Sequence, residues 1–419
     1  MLGRPFSRKN VSYHNNKHLI LDVADSYFYY VDAPPITTLT WFKGDYQNAK
    51  QYLENRLKLI MKKNPWIGGR LGFKFERGFQ LYLSYSLDNS IDDIFTTVEA
   101  EKSPIARNTP FVKYDKCLKD YKIKSNKNEP LFKTTIIPCF ENPNHRFAVM
   151  VQMSHSVGDG ATYYKLLEML FSIEEDTILK LNEVRIKNSQ KQQIALMGKN
   201  EERLFRSLGC VLNILWGLLV SILLCRPMNP QFEIVDLDKM ETAKKEAAKD
   251  GDVQFVSTND IITSWYLQQT QSEIGFMAIN WRNRLDGHSM LDVGNYENLL
   301  YYSKEDSATP SLIRQSLTKF KRVVTKDNRL PGFFTCFGSP CIPIVTNWAS
   351  FAKRNDIKGC EEDCHIPFTW GYYYPTTMPV LIIFRAGVGQ LGLCSIQAGA
   401  VNFLNHAPFL KQSMKTKLI

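Results

Sequence analysis

The stretch 146–171 constrains this chain more than any other. From 146 to 154, Phe147, Val149, Val151 and Met153 share one parity, an alternation that predicts a β-strand. From 161 to 171, Tyr163, Leu166, Leu167, Leu170 and Phe171 recur at helical spacing. Between them lies His155-Ser156-Val157-Gly158-Asp159-Gly160, so the chain must turn tightly from strand to helix with a histidine at the strand end. Gly158 and Gly160 permit backbone angles that a Cβ would forbid. Asp159 is placed to cap the helix by accepting its free amides. An imidazole titrates near neutrality, and a rigid strand end holds it in one position. That pairing suits general-base chemistry.

With 419 residues, 44% of them hydrophobic, the chain can bury a large core and build two domains. The formal net charge of +10 is compatible with nucleic acid, anionic lipid or a phosphorylated small molecule. No nucleic-acid motif accompanies it and the lysines are scattered, which favours the latter two. The nine cysteines are an odd number, and residues 1–10 are polar with no apolar core. We therefore expect no signal peptide and reduced thiols on the cytosolic side of a membrane, for instance the endoplasmic reticulum. Cys336, Cys341, Cys360, Cys364 and His365 do not fit a common zinc spacing and are expected to be buried free thiols with no metal.

The pattern divides the chain into a first α/β lobe (1–179), a basic linker with an apolar helix (180–235) and a second lobe (236–419). In the first lobe, strands are expected at 36–42, 132–138 and 146–154, a hairpin at 75–87, and a helix at 46–62 that stops at Asn64-Pro65. In the second, helices are expected at 236–249, 261–268 (capped by Thr258 or Asn259) and 311–323. Strands are expected at 275–280, 342–347, 380–384 and 392–397. Residues 208–225 are uncharged and mostly apolar, bounded by Arg206 and Arg226. They are long enough to suggest a membrane span, but one crossing would put the two lobes on opposite sides of the bilayer. The remaining options are a helix lying in one leaflet, which the basic flanks favour, or a helix buried between the lobes.

Several landmarks then fall in one order. Asp25-Ser26-Tyr27-Phe28 with Val31-Asp32-Ala33-Pro34-Pro35 resembles the opening of wax ester synthases, and Thr258-Asn259-Asp260 resembles their Asn-Asp helix start. Asn64-Pro65-Trp66-Ile67-Gly68-Gly69-Arg70-Leu71 is similar to a block of the plant BAHD acyltransferases. Asn280-Trp281-Arg282-Asn283-Arg284-Leu285 followed by Gly294-Asn295 looks like the Arg-x-Arg-Leu then Gly-Asn segment, and Val345-Thr346-Asn347-Trp348 like the Thr-Ser-Trp segment. Together with His155-x-x-x-Asp159-Gly160 they resemble the superfamily of coenzyme-A-dependent acyltransferases carrying the His-x-x-x-Asp-Gly signature. Wax ester synthase/diacylglycerol acyltransferases and peptide-synthetase condensation domains belong to it too. The C-terminal Asp-Phe-Gly-Trp-Gly signature is only partly present. Phe368, Trp370 and Gly371 fit, whereas Pro367 and Thr369 depart from it.

The resemblance implies an α/β (α+β) fold of two chloramphenicol-acetyltransferase-like lobes with a tunnel between them. It implies acyl transfer from an acyl-CoA co-substrate to an alcohol acceptor, with no tightly bound cofactor. His155 would be the general base and Thr346, near Trp348, the oxyanion donor. Asp159 would point away from the histidine and pair with Arg282 or Arg284. Asn259, Asn295, Trp370 and Gly371 would shape the pocket. The apolar stretch 208–225 favours a lipidic alcohol. The alternatives are a BAHD-like enzyme for a soluble alcohol or amine, a non-catalytic acyl-CoA-binding protein of the same fold, and a membrane-anchored scaffold.

Overall fold

A computed structural model describes residues 16–31, 33–74, 80–88, 90–123, 128–226, 228–249, 253–324, 330–368, 378–399, 402–405 and 407–411. The chain opens with β1 (Asn16–Ile20) and a short helix, α1 (Val23–Tyr30). Asp22 and Asp25 close a reciprocal capping box at the start of α1, each side chain accepting the other's backbone amide. Next come β2 (Ile36–Lys43) and α2 (Tyr46–Lys63), which Asp45 caps by accepting the Asn48 amide at 2.7 Å. Helix α2 ends at Asn64, before Pro65. The first half continues with β3 (Arg70–Lys74), β4 (Gln80–Ser86), β5 (Phe95–Thr97), α3 (Phe111–Leu118), β6 (Phe132–Pro138), β7 (Arg146–Met153) and α4 (Gly160–Phe171).

Helices α5 (Ser189–Met197), α6 (Lys199–Arg203) and α7 (Leu208–Leu223) lead to β8 (Met228–Ile234), α8 (Leu237–Lys249) and α9 (Thr258–Gln269). Then follow β9 (Ile274–Asn280), β10 (Glu297–Ser303), α10 (Pro310–Lys319), α11 (Phe333–Gly338), β11 (Ile344–Asn347), β12 (Glu361–Pro367), β13 (Val380–Gly387) and β14 (Gln390–Ala398).

These strands form three sheets, ordered β1-β4-β3, β12-β2-β7-β6-β5 and β10-β9-β11-β13-β14-β8. Strand β7 lies between β2 and β6, with Met153 opposite both Ile36 and Phe132. Phe147, Val149, Val151 and Met153 pack with Leu53 and Leu57 of α2 and Leu166 and Leu170 of α4. The other parity is buried as well: Ala148 and Met150 meet Ile366, Phe384 and Ile396 from the second half. The seam between the lobes is therefore itself a hydrophobic core. Full burial of such a side chain is worth about 1.5–3 kcal/mol.

The second half does not sit apart from the first. Its strand β12 crosses over and pairs antiparallel with β2, with His365 opposite Thr40. The basic segment 180–206 is not a loose linker either. It folds into α5 and α6, and its Arg185 is buried. The cap of α9 is Ser257, in a box with Asp260, rather than Thr258 or Asn259. Helix α10 stops at Phe320, whose left-handed backbone (φ 51°) ends the ladder before residue 323. The hairpin expected at 75–87 is built by β3 and β4, so it starts at Arg70; residues 75–79 lie outside the described residues. Cys336, Cys341 and Cys364 are buried free thiols, Cys360 is half-buried, and His365 is buried between Thr40 and Tyr164. Among the described residues no three His, Cys, Asp or Glu side chains gather as a metal site.

Helix α7 starts at Ser207, whose hydroxyl accepts the Cys210 amide. Its protein-facing side is small or polar: Gly209, Cys210, Asn213, Gly217 and Ser221. A Cβ on Gly209 would come within 2.8 Å of the Phe333 carbonyl, and Asn213 donates to the carbonyls of Phe337 and Ser339. Its outer side carries Leu208, Leu215, Trp216, Leu219, Ile222 and Leu223, all exposed. This is the reverse of a surface helix in a soluble protein. The buried-helix alternative does not hold for this side, which the described residues leave uncovered.

Candidate active site

His155 sits immediately beyond β7, in the turn that Asp159 closes by capping α4 at the Thr162 amide, 3.0 Å away. The turn is tight for steric reasons. A Cβ on Gly158 would meet the Thr162 side chain at 2.8 Å. The imidazole is held on three sides. Its Nδ1 lies 2.9 Å from Asn295 Oδ1, its face stacks on Phe28 at 3.8 Å between centroids, and its Nε2 faces Glu297 Oε1 at 3.4 Å.

The Asn295 amide leaves little choice of tautomer. Its Nδ2 donates to Asp25 Oδ1 at 2.8 Å and to the His155 carbonyl at 2.7 Å, so Oδ1 must be the atom turned toward the ring. Nδ1 then carries the proton and donates it, and Nε2 keeps a lone pair. Asp25 is fully buried and anchored by Arg185, 2.5 Å away. The Arg185 guanidinium also donates to the carbonyls of Val157 and Val293. A chain of contacts thus runs from Arg185 through Asp25 and Asn295 to the ring, and its outcome is a neutral histidine with a free basic nitrogen.

Burial disfavours the imidazolium and lowers the His155 pKa from its ordinary 6.5, although the charges of Asp159 and Asp25 oppose this. Burial, assisted by the charge of Asp159, raises Glu297 to about 8. Yet 18% of the His155 side chain and 28% of Glu297 remain accessible. Both side chains are thus partly accessible, and they meet at Nε2.

Asp159 does not touch the ring. Its Oδ2 accepts from Arg282 Nη1 at 2.7 Å and from the Tyr296 amide at 3.0 Å. Arg282 spends its remaining donors on Asp292 and Gly294 carbonyls, Thr162 Oγ1 and Asn280 Oδ1. The open choice between two arginines is settled in favour of Arg282. Arg284 is exposed and lies over the Phe320 ring. The pair clamps the turn carrying His155 to the Gly294-Asn295-Tyr296 segment of the other lobe.

The other expected positions are distributed as follows. Gly160 starts α4 beside Trp348, where a Cβ would lie 3.7 Å from the indole Nε1. Thr346 is on β11 opposite Ile382, and Asn259 bonds Asn347 at 3.1 Å. No described hydrogen bond joins Thr346 or Asn259 to His155. Trp370 and Gly371 lie outside the described residues. Sequence reasoning missed four residues around His155: Asp25, Phe28, Arg185 and Glu297. Asp25 and Phe28 belong to a landmark already noted, and Glu297 follows Asn295 by two positions. Arg185 carried no signal, because its segment reads as a charged linker.

No family model matches the chain, and no curated protein sequence is significantly similar to it. Solved structures are similar. TRI101 of F. sporotrichioides, complexed with coenzyme A and T-2, aligns over 91% of this chain and 95% of its own at 12% identity and a TM-score of 0.58. Vinorine synthase aligns over 96% and 93% at 14% identity and 0.55. The first condensation domain of the CDA synthetase aligns over 90% and 92% at 13% identity and 0.54. At these identities the shared property is the fold: mixed α/β with three sheets, that of the coenzyme-A-dependent acyltransferases.

Proposed function

We propose that this protein transfers an acyl group from a coenzyme A thioester to an alcohol, with His155 as general base. The observation that carries the reading is the tautomer lock: Nδ1 is tied to Asn295, and Nε2 keeps its lone pair on a side chain that is 18% accessible. Nε2 takes the hydroxyl proton as the oxygen attacks the thioester carbonyl, the C–S bond breaks, and the proton passes to the departing thiolate. No acyl-enzyme is needed. Thr346, one strand position from the loop holding Trp348, is the proposed oxyanion donor. Asp159, Gly160 and Arg282 hold the turn, and Asn295 the ring.

We infer further that the alcohol is lipidic and that the protein works on the cytosolic face of a membrane. The outward apolar side of α7, flanked by exposed Arg206 and Arg226, supports a helix lying in one leaflet beside anionic headgroups. Arg206 also lies over Tyr27 of α1, the helix whose Phe28 covers His155, so this surface adjoins the site.

The test is release of free thiol from lauroyl-CoA in the presence of aliphatic alcohols, with ester product identified by mass. His155→Ala should lose about 10²–10⁴-fold in rate. Equal turnover by wild type and His155→Ala would refute the reading.

A further inference from the structure

Three carboxylates stand around the base. Asp25 has a buried guanidinium, Arg185, at 2.5 Å, and Asp159 has another, Arg282, at 2.7 Å. Glu297 has neither. Its nearest titratable neighbour among the described residues is the neutral His155, with Nε2 3.4 Å from Oε1, and 28% of the Glu297 side chain is accessible. The carboxylate is not there by flexibility. Glu297 begins β10, registered opposite Asn280. A desolvated carboxylate without a cation is costly unless it stays neutral or a ligand brings the charge.

We propose that Glu297 is a specificity residue that binds an ammonium group on the carbon next to the acceptor's reacting hydroxyl, so that the preferred acceptor is a vicinal amino alcohol. This rests on the acyl-CoA:alcohol reading above and names its substrate class. The geometry fits without moving either residue. A hydroxyl oxygen about 2.8 Å from Nε2 and an ammonium nitrogen about 2.8 Å from Oε1 are ordinary charge-assisted contacts. In a staggered gauche arrangement the two heteroatoms are roughly 2.9 Å apart, close to the 3.4 Å between Nε2 and Oε1, so the four atoms close a compact ring.

The proton balance is complete. The hydroxyl proton moves to Nε2, the new C–O bond forms, the C–S bond breaks, and that proton ends on the coenzyme A thiol. The ammonium keeps its three protons throughout. Held by Glu297 it has no lone pair, so the nitrogen cannot compete as nucleophile and the product is the O-ester. A simple alcohol offers Glu297 only a methylene, and the carboxyl must then stay protonated.

The experiment compares 2-amino-1-dodecanol with 1-dodecanol, using full-length protein, lauroyl-CoA and acid quenching to prevent migration of the acyl group to nitrogen. Wild type should favour the amino alcohol at least tenfold in kcat/KM, mainly through KM. In Glu297→Gln the ratio should fall to near one, and Glu297→Asp should restore part of it. Calorimetry in buffers of different ionisation enthalpy supplies a readout apart from turnover. Binding of 2-amino-1-dodecanol at pH 7 should release close to one proton from wild type and none from Glu297→Gln. Equal kcat/KM for the two alcohols in wild type, or an unchanged ratio in Glu297→Gln, overturns this proposal and leaves the acyltransfer reading standing. No turnover of either alcohol overturns both.

Discussion

Removing the guanidinium from Arg282 should cost more than any active-site substitution that touches solvent. The Asp159–Arg282 pair is sealed, with side-chain exposures of 2% and 0%, and it bridges the two lobes. In Arg282→Met the Asp159 carboxylate keeps the Tyr296 and Thr162 amides but loses its counter-charge, and the Asp292 and Gly294 carbonyls lose donors. An uncompensated buried charge of this kind costs about 3–5 kcal/mol. Asp159→Ala should cost a similar amount plus about 1 kcal/mol for the lost cap of α4. The double variant should not cost the sum, because each single change already strands the other partner, and close pairs couple by about 0.5–3 kcal/mol. Urea titrations followed by far-UV circular dichroism and tryptophan fluorescence give the three differences. Activity should fall in all three variants, since a displacement of about 1 Å at the base can cost 10²-fold. Single losses below about 1 kcal/mol, or additivity within about 0.5 kcal/mol, would refute the view that this pair clamps the lobes.

Three further outcomes follow from the same structure. Because burial lowers the His155 pKa, the acid limb of kcat/KM for a simple alcohol should have its midpoint below 6.5; a midpoint above 6.5 would contradict the desolvated ring. Glu297 has the opposite sign. Its pKa rises from 4.5 to about 8 on folding, so wild-type stability should fall relative to Glu297→Gln as pH rises across that window, measured by urea midpoints. On the outer surface, Leu219→Asp with Phe334→Asp should abolish sedimentation with phosphatidylserine-containing vesicles while leaving the urea midpoint unchanged, since both side chains are exposed and contribute little to the core. Retained vesicle binding would remove the membrane assignment from α7.

Much of this protein is written locally. The strand before His155, the glycine turn, the Asp159 cap and helix α4 follow from residue periodicity and backbone chemistry, and the structure reproduces each. The apolar stretch of α7 was equally plain, because composition alone declares it. Other features are legible only when distant segments meet. Strand β12 was not expected, because the strand it pairs with, β2, lies more than three hundred positions earlier. Arg185 reads as a linker charge, yet it is buried against Asp25, and through Asn295 this sets which nitrogen of His155 is basic. The choice of Arg282 over Arg284 is likewise a matter of which guanidinium faces the other lobe.

The sequence by itself determined that a histidine would stand at a strand end above a capped helix, because turns, caps and strand alternation act over a few residues. Only the tertiary structure decided the tautomer of that histidine, the counter-ion of each aspartate and the carboxylate facing Nε2. Those depend on electrostatics in a low-dielectric seam, where the groups that matter are neighbours in space and strangers along the chain.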